Sequence, residues 1–276
     1  MRQATERTAQ APRSGKIDAL ELLELPMGAP GAFTVSPTWR PDIGRRLRYR
    51  LVLKVVGVTA CTWLFFIAYF HLLRHPAYAV TVMPLTALDG WIAFMPPALF
   101  AYVTLWLYVG LGPGLQLSLR ELVVYTLWIG ALCLTGLVAF YFWPTRVPPL
   151  ALETSGFPGF AMLQGVDATG NACPSMHVAV AVFTAVRIDE VLRTTRTPAS
   201  LRLFNAAWFV AIAFSTVAIK QHVVLDVVAG ALLGLAFVLP SMRWRPSPAC
   251  RHGADIIRGR NSQAVPPART TTDTAP

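Results

Sequence analysis

Residues 219–226 read Ile-Lys-Gln-His-Val-Val-Leu-Asp, and a long apolar run continues from this stretch. His222 and Asp226 are four residues apart, a spacing that on a helix places two side chains on one face, one turn apart. A carboxylate in that position can hold an imidazole by one ring nitrogen and leave the other nitrogen free to react. Ionisable residues at the edge of a membrane segment are functional candidates. Solvated interfacial side chains are the alternative interpretation.

A second polar stretch, Asn-Ala-Cys-Pro-Ser-Met-His at residues 171–177, precedes another apolar run. Pro174 and Ser175 suit a helix start, because proline fixes φ and serine caps free N–H groups. Those N–H groups and the positive end of the helix dipole attract anions. His177 beside such a site is a candidate acid or base for phosphate chemistry. We expect Cys173 to fill the turn rather than to act as a nucleophile.

The two stretches together resemble the second and third signature motifs of the type 2 phosphatidic acid phosphatase superfamily. The second motif is usually P-S-G-H, and the third reads S-R-x5-H-x3-D. The residues that carry the resemblance are Pro174, Ser175, His177, Ser215, His222 and Asp226.

The chain departs from these patterns at three places. Met176 replaces the glycine of the second motif, Thr216 replaces the arginine of the third, and the first motif, K-x6-R-P, has no match. The chain looks closer to the branch that contains inositol phosphorylceramide synthases, where P-S-hydrophobic-H and Q-H-x-x-x-D forms are usual.

The resemblance implies a lipid phosphatase or phosphotransferase that works through a phosphohistidine. His222 would be the nucleophile, oriented by Asp226, and His177 would protonate the departing oxygen. Ser175 and the N–H groups of its helix start would hold phosphate oxygens. The expected partner is a lipid phosphate among membrane lipids, with no cofactor and no metal, because the cysteines and histidines show no metal-ligand spacing. Hydrolase and transferase remain open.

The cations of the missing motifs need substitutes, because a transferring phosphoryl group carries charge on its equatorial oxygens. Lys220 and Arg146 are the best candidates, and an interfacial anchor is the alternative role for each. Lys220 can reach a phosphate beside His222 only if the helix begins at or after Gln221. We therefore expect the helix to begin there and the ammonium group to point into the cleft between His177 and His222. For Asp89 we expect contact with a lipid headgroup or a basic loop residue.

Composition places the chain in a membrane. It has 276 residues, of which 54% are hydrophobic and 14% charged, with a mean hydropathy of +0.50. These values predict an all-α, polytopic membrane protein with a six-helix bundle. The formal charge of +10 indicates orientation and contact with anionic headgroups rather than nucleic-acid binding. The predicted spans are approximately Leu51–Leu73, Ile92–Leu111, Leu122–Phe142, Met176–Leu192, Leu203–Ile219 and Val223–Leu239.

Arginine placement predicts the topology. Clusters before the first span, between spans four and five, and after span six all fall on one side, which the positive-inside rule makes cytoplasmic. We therefore expect residues 1–50 to be a cytoplasmic segment, residues 51–240 the membrane domain and residues 241–276 a disordered cytoplasmic tail. The motif ends would face outward, into the periplasm if the membrane is a bacterial inner membrane. A non-catalytic protein of the same fold, such as a bis-histidine haem carrier or a scaffold, is the alternative function.

Overall fold

The computed structural model describes residues 39–149 and 171–244 of the chain. Most of them are helical, as the apolar runs predict. The helices are α1 (Trp39–Arg48), α2 (Leu51–Arg74), α3 (Ala87–Trp91), α4 (Ala98–Val103), α5 (Leu105–Gly114), α6 (Leu119–Phe142), α7 (Met176–Thr194), α8 (Ala199–Ala218) and α9 (Val224–Arg243). Two short strands, β1 (Thr81–Val82) and β2 (Thr145–Arg146), pair in parallel. The predicted tail lies almost entirely outside the described residues, as does most of the N-terminal segment.

Four helices of the described part, α2, α6, α8 and α9, are long and apolar enough to cross a membrane. The six-span prediction is therefore confirmed only in part. The second predicted span forms two short helices, which start only after Pro96 and Pro97 and break at Thr104. The fourth, α7, is helical over 19 residues but includes Asp189, whose carboxylate pairs with Arg193 at the end of α7 and with Arg202 in α8.

Apolar side chains cover the outer surface of the long helices. Val52 on α2 is 76% exposed, and Leu203 on α8 is 71% exposed. Several polar side chains, by contrast, are fully buried, including those of Ser175 and Asp226. This inverted distribution fits a bundle that is surrounded by lipid, so the protein is embedded in a membrane.

One end of the bundle is assembled by the segments between helices, and we call it the site end. The β1–β2 ribbon follows α2 and α6, and the Thr145 carbonyl accepts a hydrogen bond from Ala172 N at 3.2 Å. Val147, Ala172 and Val223 form a small buried cluster beside this ribbon. The C-terminal ends of α2 and α6 therefore meet the N-terminal ends of α7 and α9.

Two glycines allow α7 and α9 to approach closely. A Cβ atom at Gly230 would overlap the backbone carbonyl oxygen of Ser175, and one at Gly234 would lie 2.6 Å from the Ala179 carbonyl oxygen. Glycines four residues apart on an apolar helix are a known signature of close helix contact in membranes. This contact sets the distance between the two helix starts.

A buried lysine fastens the opposite end of the bundle. The Lys54 ammonium group donates hydrogen bonds of 2.7 Å to the carbonyl oxygens of Arg46, Gly114 and Gln116. Arg46 also pairs with Asp42 at 2.8 Å within α1. Since these acceptors belong to α1 and to the residues around the end of α5, one side chain of α2 connects three segments.

Candidate active site

The His222–Asp226 pair is formed, although not on a continuous helix. α9 begins at Val224, so His222 lies just before it and Asp226 lies in its first turn. The expectation that the helix begins after Gln221 is confirmed. Nδ1 of His222 lies 3.6 Å from Oδ2 of Asp226. Both residues are buried, at 8% and 0% exposure.

A helix-ending turn places His222. Lys220 N donates to Val217 O and Gln221 N donates to Thr216 O, the two bonds of a Schellman motif at the end of α8. His222 N also donates to Thr216 O, at 3.1 Å. Lys220 occupies the left-handed position of this motif with φ of 60°. The threonine that replaces the family's arginine thus contributes its backbone carbonyl to the turn.

Two carboxylates take the first N–H groups at the start of α9. Oδ2 of Asp226 accepts from Val223 N at 3.1 Å, and Oδ1 of Asp89 accepts from Val224 N at 2.8 Å. Asp226 Oδ1 and His222 Nδ1 are buried and make no hydrogen bond within the described residues. A small movement would bring the imidazole within hydrogen-bond distance of the carboxylate, as often happens when a substrate binds.

The start of α7 has the opposite character. Ser175 caps the helix, with its Oγ accepting from Val178 N at 3.4 Å, and its own N–H donates to the carbonyl of Asp226 at 3.0 Å. The first turn of α7 contains no acidic residue. Unlike the start of α9, this helix start has no carboxylate in its own first turn to offset the dipole, which makes it the better place for an anion.

His177 lies between His222 and an aromatic wall. The centroids of the two imidazoles are 5.9 Å apart. Tyr102 stacks on the His177 ring with a centroid distance of 4.5 Å, and Trp106 meets it edge-on at 5.9 Å. Trp106 is therefore part of the wall of the site.

The two candidate cations are located differently. The Lys220 ammonium donates to the carbonyl oxygens of Asp89 at 2.9 Å and Ile92 at 2.5 Å, which lie in and just after α3. That it also faces the cleft between the histidines stays a prediction. Arg146 lies on β2 with an exposed side chain, and its contact with substrate stays a prediction too.

Asp89 contacts a basic loop residue, one of the two contacts that we expected, because its backbone carbonyl accepts from the Lys220 ammonium. Its carboxylate is also part of the fold of this site. Its Oδ2 accepts from Thr86 N and Thr86 Oγ1, both at 2.7 Å. Burial would raise the pKa of Asp89, but the hydrogen bonds from Thr86 and Val224 and the charge of Lys220 outweigh burial and hold the pKa below its ordinary value. The carboxylate is thus ionised and caps two helices at once.

Cys173 fits the role that we expected for it. Its backbone N–H donates to Thr145 Oγ1 at 2.8 Å, which ties the loop before Ser175 to β2. Burial, with a smaller effect of the Asp226 carboxylate, raises the pKa of the Cys173 thiol to about 11. The thiol is therefore protonated near neutral pH and is a poor nucleophile.

The family model of the PAP2 superfamily matches residues 122–248. This match confirms the resemblance to the superfamily that the motifs carry. Members are generally phosphatases or phosphotransferases. No curated protein and no solved structure matches the chain significantly.

The matched region includes α6 from Leu122 onward, α7 to α9, and all six site residues that were predicted from the sequence. Asp89, Tyr102 and Trp106 lie outside it. The closer resemblance to inositol phosphorylceramide synthases is not confirmed by the match. Among residues 39–149 and 171–244, no group of three or more histidines, cysteines or acids could hold a metal ion.

Proposed function

We propose that the protein transfers the phosphoryl group of a lipid phosphate or diphosphate through a phosphohistidine on His222. The observation that carries this proposal is the convergence of His222, Asp226, Ser175 and His177 at the packed starts of α7 and α9. Membership in the PAP2 superfamily supports a phosphatase or phosphotransferase of some kind. The residue roles and the lipid substrate belong to the proposal.

The chemistry assigns one role to each side chain. Nδ1 of His222 faces Asp226, so Nε2 attacks the phosphorus and forms a P–N bond while the P–O bond of the leaving group breaks. His177 donates its proton to the departing oxygen. Asp226 stabilises the positive charge that develops on the His222 ring.

The second half of the reaction reverses these roles. Water or a lipid hydroxyl loses its proton to His177 and attacks the phosphorus, which breaks the P–N bond and restores His222. Ser175, the N–H groups at the start of α7, and Lys220 or Arg146 hold the equatorial oxygens. Water gives a hydrolase and a lipid hydroxyl gives a transferase.

Histidine substitution in purified protein tests the proposal. We expect His222→Ala and His177→Ala each to lower turnover at least about a hundredfold, because each removes a chemical step. His71→Ala is the matched control, since His71 lies at the end of α2 and is exposed. Substrates would be a panel of lipid phosphates with and without lipid alcohol acceptors. Near-normal activity of either site variant would contradict the assignment.

Two further readouts accompany this assay. Activity should persist in EDTA, since the proposed steps use only protein groups. A Soret band in the purified wild-type protein, combined with inactivity on every lipid phosphate, would instead favour the haem-carrier alternative.

A further inference from the structure

We infer that Asp89 is a positioning residue for the catalytic pair: it holds the start of α9 and the Lys220 turn against α3. This inference rests on the proposed function, because it assigns Asp89 an effect on His222 and Asp226. Asp89 is separated from Asp226 by more than a hundred residues of sequence and lies outside the region that matches the superfamily.

The contacts of Asp89 extend to three segments. Its side chain accepts from Val224 N, in the residue that opens α9, and from both donors of Thr86, the N-cap of α3. Its backbone carbonyl accepts from the Lys220 ammonium. The residue is 6% exposed, so water competes little for these bonds.

The consequence for the site follows from chain connectivity. His222 lies between the two points that Asp89 holds, with Lys220 two residues before it and Val224 two residues after it. Asp226 follows Val224 by two residues in the same helical turn. Fixing both flanks of His222 to α3 limits its movement relative to Asp226, whose carboxylate lies 3.6 Å away. Catalytic groups tolerate little misplacement, since about 1 Å can reduce a rate by roughly a hundredfold.

Asp89 does not take part in the chemical steps of the proposed mechanism. Its two carboxylate oxygens are both occupied by hydrogen-bond donors of the protein. It acts on the reaction through Val224 and Lys220 and not by touching the substrate. A variant should therefore change kcat more than KM.

The test compares Asp89→Asn with Asp42→Asn. An asparagine offers only one oxygen acceptor, so it cannot serve both Thr86 and Val224. Asp42 is the matched control, because its carboxylate also has two side-chain partners but lies in α1, at the opposite end of the bundle. We expect Asp89→Asn to lower kcat roughly 10- to 100-fold with KM changed less than about threefold. Asp42→Asn should leave both unchanged.

Hydrogen exchange on the same proteins gives a readout that needs no substrate. Amides of residues 222–226 should exchange at least about tenfold faster in Asp89→Asn, since one hydrogen bond to a charged acceptor is lost or weakened. Thr86→Val, which removes one donor to Asp89, should change exchange and kcat in the same direction but less. Thr86→Ser keeps the hydroxyl and should behave as wild type.

Each outcome decides the inference. Unchanged exchange at residues 222–226 overturns it, whatever the activity. Faster exchange with wild-type kcat also overturns it, because Asp89 would then be only a helix cap. If Asp89→Asn does not fold, Thr86→Val against Thr86→Ser decides in its place by the same two measurements. A wild-type protein that is inactive on every lipid phosphate overturns the proposed function, and with it the catalytic role of Asp89, even if exchange shows that Asp89 holds α9.

Discussion

At the scale of single residues, Lys220 carries a side chain at a position where the backbone favours glycine. It occupies the left-handed position of the turn that ends α8, with φ of 60°. A residue with a Cβ atom is disfavoured there by roughly 1–2 kcal/mol, whereas glycine adopts the conformation freely. Strained residues of this kind often lie at functional sites. The ammonium group, bound to α3 and close in sequence to His222, is the feature that glycine would lack.

Substitutions of Lys220 separate the effect of the left-handed backbone conformation from the effect of the ammonium group. We expect Lys220→Gly and Lys220→Met both to lower turnover strongly, and Lys220→Arg to retain part of it as a charge of different shape. Arg196→Gly is the matched control, because Arg196 has φ of 55° in the turn after α7 at the other end of the bundle. That variant should keep full turnover. If Lys220→Met does so too, the lysine is only an anchor and Arg146 becomes the leading phosphate ligand.

The proposed mechanism makes the rate depend on the protonation of two histidines. One must be neutral to attack and the other protonated to donate, so we expect a bell-shaped profile of rate against pH in the acidic-to-neutral range. Asp89 should not contribute to it. Its pKa lies below the ordinary value of 3.8, so its stabilising effect is complete above that value and is lost only as the pH falls through the lower pKa of the folded state. When the rate is measured over a series of pH values, Asp89→Asn should lower the maximum rate. The pH values at which the rate falls to half of that maximum should not change.

At the scale of helices, the close contact of α7 and α9 decides how the site is assembled. Ser175 belongs to the start of one helix and Asp226 to the start of the other, and Ser175 N donates to the Asp226 carbonyl. Gly230 makes this approach possible because it leaves the Ser175 backbone room. The same pair of helices therefore provides both halves of the proposed chemistry.

Replacing Gly230 by alanine should separate the helix starts. The new Cβ would overlap the Ser175 carbonyl, which cannot move without breaking its turn, so we expect a loss of about 1–3 kcal/mol in stability and a strong loss of turnover. Gly130→Ala in α6 is the control, since no atom lies within 4 Å of its Cβ position. Thermal unfolding and activity of both variants measure the difference. Equal behaviour of the two would show that close packing at Gly230 is unimportant.

At the scale of the whole molecule, positive charge is concentrated at the end opposite the site. Arg45 and Arg46 lie in the last turn of α1, Arg193 in the last turn of α7 and Arg243 in the last turn of α9. The positive-inside rule predicts that such an end faces the cytoplasm. The site end would then face outward.

This orientation can be measured with reporter fusions. Arg260 lies outside the described residues. A reporter that works only in the cytoplasm should be active when it is fused after Arg260, and a reporter that works only outside the cytoplasm should be inactive there. A reporter inserted between residues 150 and 170, which also lie outside the described residues and come before Asn171 and Ser175 in the sequence, should show the opposite behaviour. A reporter after Arg260 that is active only outside the cytoplasm would contradict the proposed sidedness.

Local features of this protein could be predicted from the sequence. Long apolar runs give helices because the backbone must satisfy its own hydrogen bonds in lipid. Ser175 as a helix cap and a helix start after Gln221 depend on neighbouring residues, and both are confirmed. The count of six spans was only partly predictable, because prolines shorten the second and charges interrupt the fourth.

Only the tertiary structure showed which distant groups surround the histidines. Tyr102, which stacks on His177, and Asp89, which caps α9, come from segments with no motif and no helical spacing relative to the site. The sequence determined the chemical groups, the helices and which helix starts carry the motifs, because these depend on interactions within a few residues. Tertiary packing decided that α3 and α4 close the site, because such contacts depend on how apolar helices of similar character fit together in space.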